Sequence, residues 1–385
     1  DTDILYLLDE IGRADKVRFL SPTTSYYRPG GNFALDKPFL GSGLLGRVVN
    51  ILSMPGLSLP AKLRFGLVGL YLTLYRDGIA LENVTADAWS RRWVGEEAHN
   101  LIWRPMLIGK FGPLYDSVNM AWLWARLHKR TAKLGTYEGG FQAALEDIAE
   151  AARQQGASIR LNAPVRSVTP APGGCLTLEA EQAGGVYDVV LSTTSPALMA
   201  KLAPALPDAY REQLGALRSL GAMIVVLALD RSLMQDGTYW LNLPAVSPEK
   251  DQNPFPFLAL VEHTNYLPRE HYNGDHILYL GDYLAPDHPY FSLSDDEVAA
   301  LYLPSLRRVN PEFSTEWIRR RWVFRAPYAQ PVPLLNHSQR LPDIRTPLSG
   351  LYFASMSQVY PWDRGTNYAV EIGRRAARMI LQDRA

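Results

Sequence analysis

The 385-residue chain predicts an α/β domain assembled from separated segments, joined to an α+β domain with a mixed or antiparallel sheet and a helical lobe. Three observations predict it. A helix–strand–hairpin–strand unit occupies the middle of the chain, and a turn leading into a helix closes it. Two long pieces, one helix-rich and aromatic and one rich in strand-like runs, fill the rest. The length suffices for roughly two or three domains.

Each element has a local reason. DTDILYLLDEIGRAD (1–15) is amphipathic, with Ile4, Leu5, Leu8 and Ile11 at helical spacing and Gly12 as its stop. The stretch 16–134 carries Trp89, Trp93, Trp103, Trp122 and Trp124 together with WRPMLIGKFG at 103–112. Inside it, residues 54–78 include a charge-free run from Phe65 to Tyr75, bracketed by Lys62, Arg64 and Arg76. That run is about half the length of a bilayer span. It predicts a buried helix, with insertion into a membrane surface as the alternative.

Further on, Gly139-Gly140 precede a helix with Phe141, Ala144, Leu145, Ile148 and Ala152 on one face and Gly156 at its end. Ser158–Leu161 and Val165–Val168 alternate like short strands, and Gly173-Gly174 and Gly184-Gly185 mark turns of a small sheet. Asp188–Leu191 predicts a buried strand ending in Ser192-Thr193-Thr194-Ser195. Strand-like runs at 222–229, 255–263, 276–284 and 317–325 then accompany a helix from Ser294. Ser294 and Glu297 form a capping box, so Asp295-Asp296-Glu297 reads as a helix start and not a metal site.

The closing run YPWDRGTNYAVEIGRRAARMIL (360–381) turns at Asp363, Arg364 and Gly365 and predicts Thr366 or Asn367 as N-cap. Ala369, Ile372, Ala376 and Ile380 fall on one face, and Glu371 stands four residues before Arg375. Small residues at this start admit close approach, and a helix start favours an anion.

Several chemistries are excluded. Formal net charge is zero and neither half is strongly basic, so nucleic acid is not an expected partner. The single Cys175 rules out a disulfide framework and fits a reducing, cytoplasmic setting, with membrane-surface association as an open alternative. His271 and His276 lie in a Tyr-Asn-Gly-Asp turn with no helix to align them as zinc ligands. No GxSxG elbow or P-loop is present.

The order of residues in SGLYFASMSQVYPWDRGTNYAVEIGRRAARMI (349–380) resembles the closing flavin-binding segment of the FAD-dependent amine oxidase, protoporphyrinogen oxidase and phytoene desaturase superfamily. The unit at 135–196 is similar to that superfamily's middle cofactor segment, and RRRWVFRAPYAQPVP (319–333) to the run ahead of its last one. The resemblance implies FAD as cofactor. It places Gly365, Thr366 and Asn367 against the isoalloxazine and Asp363 near the ribityl chain, and counts Tyr360 among the cofactor-binding residues. It gives Val165 the adenine, through its backbone, and sets Thr193 and Thr194 near the cofactor. Relatives often carry Gly-Asp where this chain has Ala354-Ser355-Met356.

On this pattern, 1–15 is a helix following a first FAD segment that the given chain lacks. Residues 16–134 are the helical lobe, 135–220 the middle FAD segment, 221–340 the substrate-domain sheet and 341–385 the last FAD segment. The only glycine-rich match, Gly41-Ser42-Gly43-Leu44-Leu45-Gly46, follows no hydrophobic strand, and no acidic residue stands about 20 positions on. The FAD-binding domain is therefore expected to be Rossmann-like and incomplete at its amino end, as in a fragment. The implied reaction is hydride removal from a C–N or C–C bond of an apolar or aromatic small molecule, most like protoporphyrinogen oxidase. Lys110, Arg130 and Tyr328 are the candidate catalytic groups. A carotenoid desaturase, a UDP-galactopyranose mutase-like flavoenzyme and an inactive binding protein of the same fold are the alternatives.

Overall fold

The structure, a computed structural model, describes residues 2–34, 44–129, 131, 133–182 and 184–385, with 44–47 described by backbone alone. The chain divides into two compact units. One comprises Asp1–Arg18, Gly135–Arg218 and Asn336–Ala385, the other Phe19–Leu134 and Ser219–Leu335.

From the amino end, α1 (Thr2–Glu10) opens the first unit, and β1 (Val17–Leu20) carries the chain into the second. There follow β2 (Thr23–Tyr26), β3 (Phe33–Ala34) and the lobe helices α2 (Leu44–Ser53), α3 (Leu59–Leu74), α4 (Ala86–Val94), α5 (Glu96–Ala98), α6 (Arg104–Phe111) and α7 (Met120–His128). Strand β4 (Leu134–Tyr137) returns to the first unit, with α8 (Gly140–Gln154), β5 (Val165–Pro170), β6 (Leu176–Ala180), β7 (Gly185–Tyr187), β8 (Val190–Ser192), α9 (Pro196–Leu202) and α10 (Asp208–Ala216). The second unit resumes with β9 (Ser219–Leu229), β10 (Thr238–Asn242), β11 (Ala259–Glu262), β12 (His276–Leu284), α11 (Asp295–Tyr302) and β13 (Ile318–Pro331). Strand β14 (Leu351–Phe353) and α12 (Thr366–Arg384) complete the first.

In the first unit, β8 and β14 run parallel, Val190 opposite Leu351 and Ser192 opposite Phe353. Period two sends β14 side chains to both faces. Leu351 and Phe353 join Met199, Leu206 and Leu214 of the α9–α10 region. Tyr352 and Ala354 join Ile372 and Ala376 of α12. A parallel pair sandwiched between helices is the α/β arrangement the sequence predicts. Strands β5, β6 and β7 form a separate antiparallel sheet.

The second unit holds a seven-stranded sheet in the order β13-β9-β12-β11-β10-β2-β3, in which only β10 and β2 pair parallel. Met223, Val225, Leu227 and Leu229 of β9 bury one sheet face with Leu278 and Leu280 of β12, and Val298 and Tyr302 of α11 cover them. Removal of this apolar area from water contributes roughly 25 cal/mol per Å². In the helical lobe, Trp124 donates its Nε1–H to the Tyr75 carbonyl at 2.8 Å. Gly78 lies so close to that ring that a Cβ would sit 2.0 Å from it, so only glycine fits.

Four expectations are corrected. The helix at 59–74 is not buried: Leu72 alone is, and Leu67 and Leu74 are each 68% exposed. Ser158–Leu161 forms no strand, because alternation without a neighbour to pair with does not make one; Leu161 is 77% exposed. The strand expected at 188–191 begins at Val190 and is half-buried. The strand expected at 255–263 spans only Ala259–Glu262. Of the glycine-rich match, residues 41–43 lie outside the described residues, and 44–46 begin α2.

Candidate functional site

In the first unit, β8 and β14 end at the same level, and both run on into small residues. The Ala354 amide donates to the Ser192 carbonyl at 3.0 Å, just past the strands. Ser192 Oγ and Thr194 Oγ1 are 2.9 Å apart, Thr193 is exposed, and Ser195 Oγ caps α9 through the Leu198 amide at 3.3 Å. At the end of β14, Ser355 is buried and closed into a capping box: its amide donates to Gln358 Oε1 at 2.8 Å.

Helix α12 runs back along β14. Tyr352 Oη donates to Asp383 near the helix end at 2.7 Å, whereas Ile372 shares a cluster with Ala354 beyond the strand. The α12 start therefore lies at the carboxyl end of the parallel pair, the end where open α/β sheets bind ligands. Among the described residues, no side chain caps that start. Its flanking residue is Gly365, and a Cβ placed there would meet nothing within 4 Å. The expected cap, Asn367, is occupied elsewhere. Its Oδ1 accepts from the Asp3 and Ile4 amides at 2.8 and 3.2 Å and so caps α1. Around the turn, Trp362 stacks on Tyr368 at 6.3 Å between centroids, Tyr360 meets His337 edge-on, and Asp363 lies 3.6 Å from Arg364. Burial and the neighbouring carboxylates Asp3, Asp363 and Glu371 push the Tyr368 hydroxyl pKa up. Val165 begins β5 opposite Ala180.

In the second unit, the sheet face turned away from the α11 core carries Ala222, Ile224 and Val226 of β9, opposite Tyr283, Gly281 and Tyr279 of β12. On the other side of β9, Phe324 and Trp322 of β13 continue it. No charged side chain stands at these positions, and an added Cβ at Gly281 would meet nothing within 4 Å. Lys110 of α6 is buried, its Nζ 5.2 Å from the Tyr283 ring centroid and 5.6 Å from that of Trp122. Tyr328 is half-buried in the irregular stretch of β13 between Ala326 and Gln330. Arg130 lies outside the described residues.

On the opposite face, Asp282 is fully buried with its Oδ1 2.6 Å from Lys250 Nζ. Burial pushes its carboxyl up to about 6 despite that ammonium. Of the five tryptophans, Trp89, Trp103, Trp122 and Trp124 are buried packing residues of the lobe, and only Trp93 is exposed. Sequence reasoning passed over the Tyr279–Gly281–Tyr283 row. Its signal was the period-two placement of these residues inside a strand-like run.

The chain matches the family described as flavin containing amine oxidoreductase over residues 1–381. Among solved structures it is similar to a protein assigned as a protoporphyrinogen oxidase from Exiguobacterium sp. 255-15, with 16% identity over 98% of this chain and 85% of that one, at a TM-score of 0.71. It is similar to cyclohexylamine oxidase from Brevibacterium oxydans IH-35A, with 14% identity over 99% and 85% at a TM-score of 0.66. It is also similar to reduced UDP-galactopyranose mutase, with 14% identity over 98% and 81% at 0.68. No curated protein sequence matches the chain significantly. Identities this low establish the fold, and the family match covers nearly the whole chain. A parallel pair with a bare helix start at its carboxyl end in one unit, and a large mixed sheet in the other, make accordingly the frame of an FAD-dependent oxidase or dehydrogenase, and the chain belongs to the flavin-containing amine oxidoreductases.

Proposed function

We propose that the protein oxidises an apolar or aromatic small molecule by removing hydride from a C–N or C–C bond, in the manner of a protoporphyrinogen oxidase. The observation that carries the reading is the sheet face of Ile224, Val226, Tyr279, Gly281 and Tyr283, apolar and aromatic, without a charge and open above Gly281. Such a face gains by burying flat or long hydrocarbon, and the Lys110 ammonium already beside the Tyr283 ring repels the ammonium of a small amine.

The residues at the α12 start fit FAD. Gly365 leaves room, no side chain among the described residues caps the helix, and its first-turn amides carry partial positive charge. Gly365, Thr366 and Asn367 would hold the pyrimidine edge through the backbone, since the Asn367 side chain serves α1. Asp363 and Tyr360 would flank the ring and ribityl chain, Thr193 and Thr194 would line the strand ends, and the Val165 backbone would meet adenine. Bound there, FAD supplies the two-electron acceptor for the hydride that the substrate loses. The protein's own share is positioning. Lys110, its ammonium held between rings, orients the polar end of the substrate, Tyr328 bounds it, and Arg130 is retained as a further candidate.

The test pairs a visible spectrum with turnover by flavin-loaded protein. Flavin absorption with oxidation of a porphyrinogen or polyene, and little response to simple primary amines, is the expected outcome. Amine oxidation without either apolar substrate responding would overturn it.

A further inference from the structure

His263 stands inside a ring of tyrosines. It follows β11 directly and opens a short turn (His263–Asn265). Its ring centroid lies 5.6 Å from that of Tyr279, a residue of the open sheet face, 5.4 Å from Tyr272, 6.0 Å from Tyr266 and 6.4 Å from Tyr239. Tyr239 and Tyr266 are themselves 5.0 Å apart. All five side chains are half-buried.

Local structure holds this box in shape. The register of β10 on β2 shifts between Thr238 and Trp240, so Tyr239 has no partner on β2, and its ring lies against His263 and Tyr266. Asn265 donates through Nδ2 to the Met234 and Thr238 carbonyls at 2.9 and 2.8 Å, which ties the His263 turn to the entry of β10. Thr264 Oγ1 accepts from the Ile277 amide at 3.2 Å and ties the same turn to β12. Tyr266 Oη donates to the Leu134 carbonyl at 2.9 Å.

The other polar atoms of the box are left open. Among the described residues, neither ring nitrogen of His263 and none of the hydroxyls of Tyr239, Tyr272 and Tyr279 has a hydrogen-bond partner in the protein, and solvent reaches each of them. They are uncharged at neutral pH. Burial alone lowers the imidazole and raises the Tyr279 hydroxyl. Burial first, then the hydroxyls of Tyr266, Tyr279 and Tyr272, push Tyr239 up to about 12. No charged side chain contributes at any of these four groups. An anion would therefore meet no cation here, and a metal ion would meet one imidazole and no carboxylate. A phenol hydroxyl and a neutral imidazole each donate one hydrogen bond and accept another. Their complement is a ligand hydroxyl, which does both, on a ring flat enough to lie among tyrosines.

We infer that the box of His263, Tyr239, Tyr272 and Tyr279 binds a neutral phenolic ring, its hydroxyl on the open polar atoms and its apolar remainder along the sheet face toward Gly281. The inference deepens the proposed function, on which it rests through the shared Tyr279, and gives an otherwise apolar substrate one hydrogen-bonding end. Its test reads binding without turnover, so the two can fail separately.

The experiment is calorimetric titration of the full chain with 2-naphthol and with naphthalene, which lacks only the hydroxyl. The parent should bind 2-naphthol about fivefold more tightly, the value of one net hydrogen bond. His263→Phe keeps the ring and removes the nitrogens, so it should bind the two compounds equally, and Tyr239→Phe with Tyr272→Phe should lose most of the preference. Tyr6→Phe, an exposed tyrosine of α1, should behave as the parent. Thermal melts show that each variant is folded, and the tyrosine pair carries the test if His263→Phe is not. Equal affinities in the parent, or a parental preference in both box variants, overturn the inference. So does displacement of 2-naphthol by tetramethylammonium, since the box would then be a cation cage. Turnover of an apolar substrate by a parent that lacks the naphthol preference would overturn the box and leave the proposed function standing; the preference without any turnover would do the reverse.

Discussion

At the start of α11, Ser294 Oγ accepts from the Glu297 amide at 3.3 Å, and the Glu297 carboxylate takes the Ser294 amide at 2.7 Å. At the start of α12, Gly365 supplies no side chain at all. Both starts leave the same orphan amides. The first closes them locally with residues three positions apart, which serves folding and nothing else. The second leaves them open at the carboxyl end of a parallel strand pair, and the side chain best suited to cap it, Asn367, is held by α1. A glycine at a helix start, without its own acceptor, forgoes only about a few tenths of a kcal/mol of capping. Under the proposed function, these amides are put to use at the flavin's pyrimidine edge.

Filling the open start is the severest way to break that contrast. Gly365→Leu adds bulk where nothing lies within 4 Å, at an extended φ of 176 that any residue adopts. The protein should fold and melt as before. Its flavin affinity should fall by at least a thousandfold, about 4 kcal/mol, read as loss of the flavin bands after gel filtration. Retained stoichiometric flavin would reduce α12 to an ordinary amphipathic helix.

The same contrast recurs in one carboxylate. Asp282 has Lys250 on Oδ1 and no hydrogen-bond partner for the buried Oδ2. Its folded pKa, about 6, lies above the ordinary 3.8. The folded state therefore holds a proton between these values that the unfolded chain has lost, and stability falls as pH rises from about 4 to about 6, then levels. The shift corresponds to something on the order of 3 kcal/mol. Asp282→Asn removes the titration, so the melting temperature of the variant relative to the parent should climb across that window and stay flat above it. A constant difference from pH 4 to 7 would mean that Asp282 is ionised throughout. His263, His276 and His288, lowered by burial, oppose the trend in both proteins and cancel in the comparison.

Openness on the sheet face can be tested in a milder way. Gly281→Leu projects over the row of Tyr279 and Tyr283, where its Cβ meets nothing. The KM for a flat apolar substrate should rise about tenfold, roughly 1.4 kcal/mol, with flavin content and melting temperature unchanged. An unchanged KM would remove this face from the substrate site.

What could be read from residues alone follows the range of the forces involved. The strand at 276–284 was legible end to end because its alternation repeats over nine positions, and the Ser294–Glu297 box because capping is a three-residue interaction. Asn367 misled for the opposite reason. Its oxygen could cap its own helix, and only the fold brings Asp3, 364 positions away, within 2.8 Å of it. Ser158–Leu161 has the pattern of a strand, but a strand exists by pairing, and pattern does not supply a neighbour. Apolar content suggested that α3 is buried, yet composition does not say what covers a side chain, and on α3 one side is left to solvent. Tryptophan content is equally mute about role: the lobe tryptophans pack on one another and on Phe65 and Phe111, while the open aromatic face belongs to the sheet.

The smallest expected effect sharpens the comparison from its closed side. Ser294→Ala deletes the hydroxyl that receives the Glu297 amide and leaves Glu297 to hold the Ser294 amide alone. Loss of a serine cap costs about 1 kcal/mol, and the cap at Ser294 is exposed, so water replaces part of the lost bond. Chemical denaturation should show that loss, with flavin content and substrate KM at parental values. Against Gly365→Leu, which should strip flavin while sparing stability, the pair forms a double dissociation between a helix start that serves folding and one that serves a ligand. If Ser294→Ala also depleted flavin, the two starts would not be independent, and the open amides of α12 would lose their claim to a separate purpose.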